Sequence, residues 1–382
     1  MHTLPSAANI LHVAVEDVVG ADNASSLERL ILAASADRSL SLLSSNPQLT
    51  LQKRALPTSD SPILGSAVIA NKYLLTTSMS GKVVLSDLST GDALDERRDH
   101  QKYVVRIATM TDGNYTWVAT AAWDAKVLLY QLPAVVDSAA DMKLGDPKAS
   151  LTLPSNPEAI AFIQHPEIAT PVLLVSRRDS TFLYYYTFVE ETESSTPSKP
   201  KDLLLLGRQN LAPHSNAWIA FTPSAFAISP RDPLLLAVAT SAVPHMKLII
   251  VRLLLPPPPS TAPTQPDANI TQASQARADL ALQDREAAAI LIHCTTLAPQ
   301  TAYSTPDLAW RPDASGVWVN GDDGVVRGIE ATTGKIVTTL KRGHEVGTKI
   351  RCLWAGMVQH EKEEEWVISG GFDRRLVVWR PE

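Results

Sequence analysis

Cysteine is scarce in this chain. Among 382 residues only Cys294 and Cys352 occur, too few for the disulfide framework that stabilises small secreted domains. Neither has a second cysteine at the spacing of a zinc site, so we expect two buried, apolar cysteines and no bound metal. The scarcity fits a reducing compartment, and we predict an intracellular protein of the cytoplasm or the nucleus.

Long apolar segments are also missing. No hydrophobic run approaches the roughly 20 residues that a membrane-spanning helix needs, and the N-terminus lacks the charged and apolar regions of a secretory signal. The 34 basic residues are outnumbered by 40 acidic ones, for a net charge of −6. Nucleic-acid binding usually requires a basic domain. The sequence therefore predicts no membrane insertion and no nucleic-acid partner.

Catalytic motifs are absent from the sequence. It contains no Gly-x-Ser-x-Gly, no glycine-rich phosphate loop and no His-Glu-x-x-His. The segment that begins at His360 lacks a second histidine one helical turn later, and residues 321–324 lack the ligand spacing of a calcium loop. We expect a non-catalytic protein that holds no cofactor and acts on no small-molecule substrate.

The feature that does recur is a short apolar strand, a tight polar turn and a second apolar strand. Strands rich in Val, Leu, Ile and Thr are typical of buried sheets, and turns with Asp, Gly or Ser suit hairpins. The clearest copies span 30–43, 117–130 and 366–379, and weaker copies span 73–87, 172–188, 235–252 and 316–330. The sequence thus predicts seven hairpins.

Further short apolar segments lie between the hairpins and supply two more strands to each unit. Examples are 63–69, 104–108, 159–163, 225–228, 308–310 and 350–354. A four-stranded unit repeated seven times is typical of a β-propeller, whose repeats usually span roughly 40–45 residues. Here 382 residues average about 55 per unit, more than the usual repeat length. We therefore predict one propeller over 1–382 that carries insertions.

At these positions the chain resembles WD-repeat (WD40) proteins. Their repeat has a Gly-His pair, then Ser or Thr on the second strand, Asp in the turn and Trp on the third strand. The last repeat matches throughout, with Gly343, His344, Ser369, Asp373 and Trp379. The third repeat matches with His100, Thr120, Asp124 and Tyr130, a tyrosine in place of tryptophan. The resemblance implies an all-β, seven-bladed propeller in which each set forms a structural hydrogen-bond network.

The two ends of the chain have complementary patterns. The last repeat stops after its third strand, at Trp379. Residues 3–6 read Thr-Leu-Pro-Ser and precede an apolar segment, a layout that residues 152–155 repeat inside the chain. We predict that the N-terminal strand pairs in the last blade and closes the ring, which removes exposed sheet edges.

Three insertions, at 133–148, 190–202 and 256–286, each follow a third strand. Strand order places them on one face, opposite the hairpin turns, together with an acidic loop around 361–365. The longest insertion begins with four prolines, which favour polyproline II, and its Ala-rich residues 272–289 are compatible with a helix. We predict that much of the insertion at 256–286 is disordered.

The face that carries the hairpin turns is the candidate binding surface. Trp123, Arg178 and Phe372 directly precede turn aspartates, and WD-repeat proteins often contact partners at such positions. The other candidates on this face are Arg38, His245 and Arg374. Aromatic residues and Arg are enriched at binding hot spots, although scattered exposed side chains occur on any surface.

Two functions fit this surface. The first is a scaffold or adaptor subunit of a multiprotein complex that binds other proteins, including peptide segments. The alternative is a receptor for short acidic or modified peptides, because Arg pairs readily with carboxylates and phosphates. A ubiquitin-ligase substrate receptor and a chromatin reader are examples of that class.

Overall fold

A computed structural model describes the fold at residues 1–19, 27–46, 48–52, 59–135, 142–165, 168–188, 201–214, 221–256, 272–359 and 362–380. Over these residues the chain forms seven mainly antiparallel sheets. Six sheets have four strands, and the third has a fifth, parallel strand. Each predicted hairpin forms the second and third strands of one sheet. The alternation of apolar strands and polar turns therefore predicted the sheets correctly.

The first four blades follow one another along the chain. After β1 (His2–Pro5), blade 1 comprises β2 (Ile10–Val19), β3 (Leu27–Ser35), β4 (Leu40–Ser44) and β5 (Leu51–Gln52). Blade 2 comprises β6 (Ile63–Ile69), β7 (Tyr73–Ser78), β8 (Val83–Asp87) and β9 (Ala93–Arg97). Blade 3 comprises β10 (Val104–Asp112), β11 (Tyr115–Ala122), β12 (Lys126–Pro133) and β13 (Ala149–Thr152). Blade 4 comprises β14 (Pro157–His165), β15 (Ile168–Arg177), β16 (Phe182–Thr187) and β18 (Leu204–Asn210), and β17 (Lys201–Asp202) pairs with β13 of blade 3.

The last three blades complete the set. Blade 5 comprises β19 (Pro223–Ile228), β20 (Leu235–Thr240), β21 (His245–Arg252) and β22 (Ile290–Pro299), with helix α1 (Gln272–Ala289) before β22. Blade 6 comprises β23 (Leu308–Trp310), β24 (Gly316–Val319), β25 (Val326–Glu330) and β26 (Ile336–Leu340). Blade 7 comprises β27 (Ile350–Gln359), β28 (Glu363–Gly371) and β29 (Arg375–Trp379), with β1 as its outer strand.

The first strands of the blades form a closed ring. Each one, in the order β2, β6, β10, β14, β19, β23 and β27, contacts the next, and β27 contacts β2. The chain is a seven-bladed β-propeller. The predicted closure is confirmed, because β1 pairs antiparallel with β29 and sets Thr3 opposite Val377 and Leu4 opposite Leu376.

The hydrophobic core consists of seven clusters, each of which lies between two neighbouring blades. Every sheet therefore buries both of its faces, which explains why its inner strands are almost continuously apolar. Between blades 7 and 1, for example, Ile31, Trp366 and Val378 are fully buried. Between blades 3 and 4 the rings of Trp117 and Phe188 lie 4.1 Å apart.

The first strands share a local irregularity. In six of the seven, a β-bulge falls near the start of the strand where it pairs with the second strand. The residues that the register skips are Leu11, Leu64, Val105, Glu158, Ser224 and Arg351. A bulge redirects side chains locally. In six blades, therefore, the side chains of the first strand change direction near the start of that strand.

The described parts of the insertions are more ordered than the sequence suggested. Residues 272–286 belong to α1, whose Ala-rich sequence favours helix, and the carboxylate of Glu286 accepts the backbone N–H of Asn210 at 2.7 Å. In the insertion at 133–148, Met142 and Leu144 are buried between blades 2 and 3. The disorder expected elsewhere in the longest insertion falls on 257–271, outside the described residues.

The acidic segment around 361–365 is a strand rather than a loop from Glu363 onward. The carboxylate of Glu365 accepts a bidentate pair of hydrogen bonds from Arg311 at 2.6 and 3.1 Å and another from the Trp318 indole at 3.0 Å. These donors explain why a run of acidic residues enters a sheet. No helix among the described residues is long and apolar enough to cross a membrane.

Candidate functional site

Two kinds of segment meet on one side of the ring, which we call the turn face. They are the hairpin turns between second and third strands and the approach loops that precede first strands. A backbone hydrogen bond joins them within a blade, as between the N–H of Trp123 and the carbonyl of Tyr103 at 3.0 Å. The same bond joins Arg178 to Asn156, and Phe372 to Lys349. The repeat thus brings residues that are distant in sequence onto one surface.

Two glycines bring neighbouring blades into contact on this face. Gly81, in the turn of blade 2, and Gly324, in the turn of blade 6, have φ values of +88° and +77°. A Cβ on Gly81 would lie 2.3 Å from the carbonyl oxygen of His100, and one on Gly324 equally close to that of Glu345. Only glycine combines this backbone conformation with such a close approach.

The predicted network of blade 7 is a chain of hydrogen bonds. The Trp379 indole donates to Ser369 Oγ at 3.1 Å, and Ser369 Oγ lies 2.8 Å from His344 Nε2. His344 Nδ1 lies 3.0 Å from the carboxylate of Asp373, whose side chain is fully buried. Burial lowers the pKa of His344 despite Asp373, which raises it. The imidazole is therefore neutral, donates through Nδ1 and accepts the Ser369 hydroxyl through Nε2.

The network of blade 3 begins in the same way and ends differently. His100 Nδ1 lies 3.2 Å from Asp124, and its Nε2 lies 2.9 Å from the Thr120 hydroxyl. Tyr130, however, donates its hydroxyl to Asp99 at 3.0 Å, and Asp99 also accepts two hydrogen bonds from Arg97. Asp99 was missed in the sequence because the repeat pattern has no position for it.

Two of the candidate binding residues lie together. The guanidinium of Arg178 lies 5.5 Å from the centre of the Trp123 ring, which stacks on Tyr103 at 5.5 Å. Arg178 also pairs with Glu158 at 2.6 Å. Phe372, on blade 7, has no ring or cation–π contact with this cluster among the described residues, and its side chain is 45% exposed. The cation–π contact leaves Arg178 fixed beside an aromatic platform.

The other three candidates lie in different turns. Arg38 in blade 1, His245 in blade 5 and Arg374 in blade 7 are all exposed. Arg38 and Arg374 adopt left-handed backbone conformations, with φ values of 75° and 60°. The structure therefore brings one pair of the six candidates into contact and leaves the others around the rim of the turn face.

Three exposed side chains of the turn face escaped the sequence analysis. Tyr303 is 89% exposed, Val346 99% and Tyr103 42%. All three lie in approach loops, which have no recurring sequence. Among the described residues the exposed aromatic side chains are Tyr103, Tyr115, Tyr303 and Phe372, and only Tyr115 lies on the opposite face, at the turn between β10 and β11. Exposed aromatic residues are thus concentrated on the turn face.

A cavity of about 210 Å³ lies in the central channel, at the end next to the turn face. Every blade contributes to its lining, with His12, Leu64, Arg106, Ile160, Phe226, Asp307 and Arg351 as representatives. All but Asp307 lie within the first four residues of a first strand, and Asp307 directly precedes one. Among the described residues no cluster of His, Cys, Asp or Glu has the arrangement of a metal site.

The comparison with family models agrees with this fold. Residues 214–380, which cover blades 5 to 7, match a family described as "UCP007778, beta-propeller domain". This part of the chain is similar to a β-propeller family. The comparison with curated proteins found no match.

Proposed function

We propose that this propeller is a non-catalytic scaffold or adaptor of the WD-repeat kind, which binds protein partners on its turn face. The observation that supports it most is the concentration of exposed aromatic side chains there: Tyr103, Tyr303 and Phe372. Burying a large aromatic side chain against a partner is a main source of interface energy.

The WD-repeat assignment rests on the networks of blades 3 and 7. Both contain the histidine, hydroxyl and aspartate pattern, with ring nitrogens 2.8–3.3 Å from their oxygen partners. Such networks use the histidines structurally, since their ring nitrogens are occupied by side chains of the same blade. This occupancy supports a non-catalytic role for His100 and His344.

A second candidate function is a receptor for short acidic or phosphorylated peptides. It is favoured by Arg178, which lies against the ring of Trp123, a ring that itself stacks on Tyr103. An arginine beside aromatic rings combines stacking with bidentate pairing to a carboxylate or phosphate. The scaffold function predicts a stable complex of fixed stoichiometry, whereas the receptor function predicts weaker and transient binding.

The test is affinity purification from native extract, followed by mass spectrometry of the bound proteins. The variant Tyr303→Glu/Phe372→Glu introduces charge on the turn face, and Tyr115→Glu is the matched control on the opposite face. We expect the double variant to lose at least one specific partner and the control to retain all of them. Surface substitutions usually change stability by only about 0.5 kcal/mol, so the melting temperatures of all three proteins should be similar. A partner list that changes only with Tyr115→Glu would contradict the proposal.

A further inference from the structure

Two arginines of the channel cavity have no carboxylate partner among the residues that the structure describes. Arg106 donates to the backbone carbonyls of Glu158 and Ser224 at 3.0 and 3.1 Å, which fixes it across the channel wall. Arg351, a bulge residue of β27, is half-buried and forms neither a hydrogen bond nor an ion pair with any described residue. In the described part of the chain, neither arginine thus has a counter-ion within ion-pair distance.

The nearby carboxylates do not supply the missing charge. Asp307 lines the cavity, but one of its oxygens accepts the backbone N–H of Leu353 at 2.8 Å and burial raises its pKa. Glu158 pairs with Arg178 at 2.6 Å. Burial, and then the charge of Arg106, lower the pKa of Arg351, whereas Cys352, Asp307 and Glu158 raise it. An arginine guanidinium stays protonated in proteins. The cavity is therefore positively charged whether or not Asp307 is ionised.

His12 adds a neutral donor to the same cavity. The backbone N–H of Ser66 donates to its Nε2 at 3.1 Å, so the neutral ring carries its proton on Nδ1, which has no partner among the described residues. Burial, with the charges of Arg106 and Arg351, lowers the pKa of His12 to about 4. At neutral pH the ring is therefore uncharged and retains one N–H for a ligand.

We propose that this cavity binds a single oxyanion group, a phosphate or a carboxylate, with Arg351 as its main ligand. The planar fork of a guanidinium matches both groups, and Arg106 and His12 line the same cavity. A volume of about 210 Å³ is below the roughly 300–1,000 Å³ of sites that enclose drug-sized molecules. It suits one oxyanion or one acidic side chain rather than a nucleotide. This site is independent of partner docking on the turn face.

The experiment is calorimetric titration of the purified protein with inorganic phosphate, in a buffer free of other oxyanions. We expect saturable binding, at least tenfold weaker in Arg351→Met and unchanged in Arg374→Met, which removes an exposed turn-face charge outside the cavity. Absence of binding to the wild type, or equal binding to Arg351→Met, would overturn the proposal. Titrations with acetate and with N-acetyl-phosphoserine methylamide then distinguish the sources, because binding of the second identifies a phosphate carried by a peptide.

A second measurement does not depend on how the variant folds. A crystal of the wild-type protein soaked in tungstate should show an anomalous peak beside Arg351. A peak only on the outer surface would contradict the site. We also expect the melting temperature of Arg351→Met without ligand to be no lower than that of the wild type, since an unpaired, half-buried charge is removed.

Discussion

Blade 7 and the boundary between blades 4 and 5 satisfy their buried polar groups in different ways. In blade 7 a chain from Trp379 through Ser369 and His344 to Asp373 ties the strands of one blade together. Between blades 4 and 5 the described residues form no such chain. Gln209 is buried there, and its amide oxygen accepts the hydroxyl of Tyr185 at 2.6 Å and the N–H of Leu254 at 3.0 Å.

The amide nitrogen of Gln209 donates in turn to the carbonyl of Arg252 at 3.0 Å. One side chain on blade 4 therefore holds two backbone groups of blade 5. A blade can therefore lack the histidine and aspartate pattern and still contain a buried polar network. The histidine and aspartate pattern indicates hydrogen bonds within one blade. Gln209 instead joins two blades, and no recurring sequence pattern marks it.

The largest expected change in stability distinguishes two buried glutamines, Gln209 and Gln300. Gln209→Leu should lower the free energy of unfolding by about 2 kcal/mol, because the buried hydroxyl of Tyr185 and two part-buried backbone groups lose their partner. Gln300 is also buried, at 7% exposure against 0% for Gln209, but neither polar atom of its side chain has a partner among the described residues. Gln300→Leu should therefore be neutral or stabilising. Urea unfolding of both variants measures the difference, and equal destabilisation would refute the network assigned to Gln209.

The next largest change in stability distinguishes two aspartates of the hairpin turns, Asp373 and Asp37. Asp373 is buried and also accepts the backbone N–H of Glu345 at 2.9 Å, so Asp373→Ala should cost about 1–3 kcal/mol. Asp37 in blade 1 is exposed and bonds only Ser39, so Asp37→Ala should remain within about 0.5 kcal/mol. Thermal melts of the two variants provide the comparison. Similar shifts would mean that the complete network of blade 7 contributes no special stability.

Shortening the longest insertion tests whether its last residues stabilise the boundary between blades 4 and 5. We expect that residues 257–282 can be replaced by a short Gly/Ser linker at little cost, because loop length changes closure entropy only slowly. Extending the deletion through Glu286 removes the acceptor of the Asn210 N–H and should cost about 1–3 kcal/mol more. Chemical unfolding of the two shortened proteins checks this. Equal stability would show that Glu286 is dispensable.

The smallest effect concerns pH. Because burial holds the pKa of His344 below its usual 6.5, the unfolded chain takes up a proton at this residue before the folded one does. Its contribution to stability is therefore present above about pH 6.5 and decreases as the pH falls below it. In His344→Gln the slope of stability against pH between 6.5 and 5 should be shallower, by up to ~1.4 kcal/mol per pH unit. An unchanged slope would mean that folding does not shift the pKa of His344.

The sequence was most informative where structure follows local periodicity. Alternating apolar strands and polar turns predicted all seven hairpins, and the matching segments at the two ends predicted the pairing of β1 with β29. These features depend on residues close together in the chain or on a repeated layout. The helix at Gln272–Ala289 was also foreseen, because an Ala-rich segment has a strong intrinsic preference for helix.

The parts that the sequence did not predict depend on contacts between blades. The bond from Tyr130 to Asp99, the role of Gln209 and the burial of Met142 all require knowledge of which loop meets which blade. The sequence placed Trp123 and Arg178 on the turn face, but it did not predict their contacts with Tyr103 and Glu158. The charged cavity was missed because Arg106, Asp307 and Arg351 come from three blades and share no motif.

The most direct test of turn-face binding is hydroxyl-radical footprinting of the protein alone and in a complex isolated from native extract. Tyr303 and Phe372 are exposed on the turn face, and Tyr115 is comparably exposed, at 46%, on the opposite face. We predict that complex formation strongly reduces labelling of Tyr303 and Phe372 and leaves that of Tyr115 unchanged. Protection of Tyr115, with full labelling retained at Tyr303 and Phe372, would contradict the account.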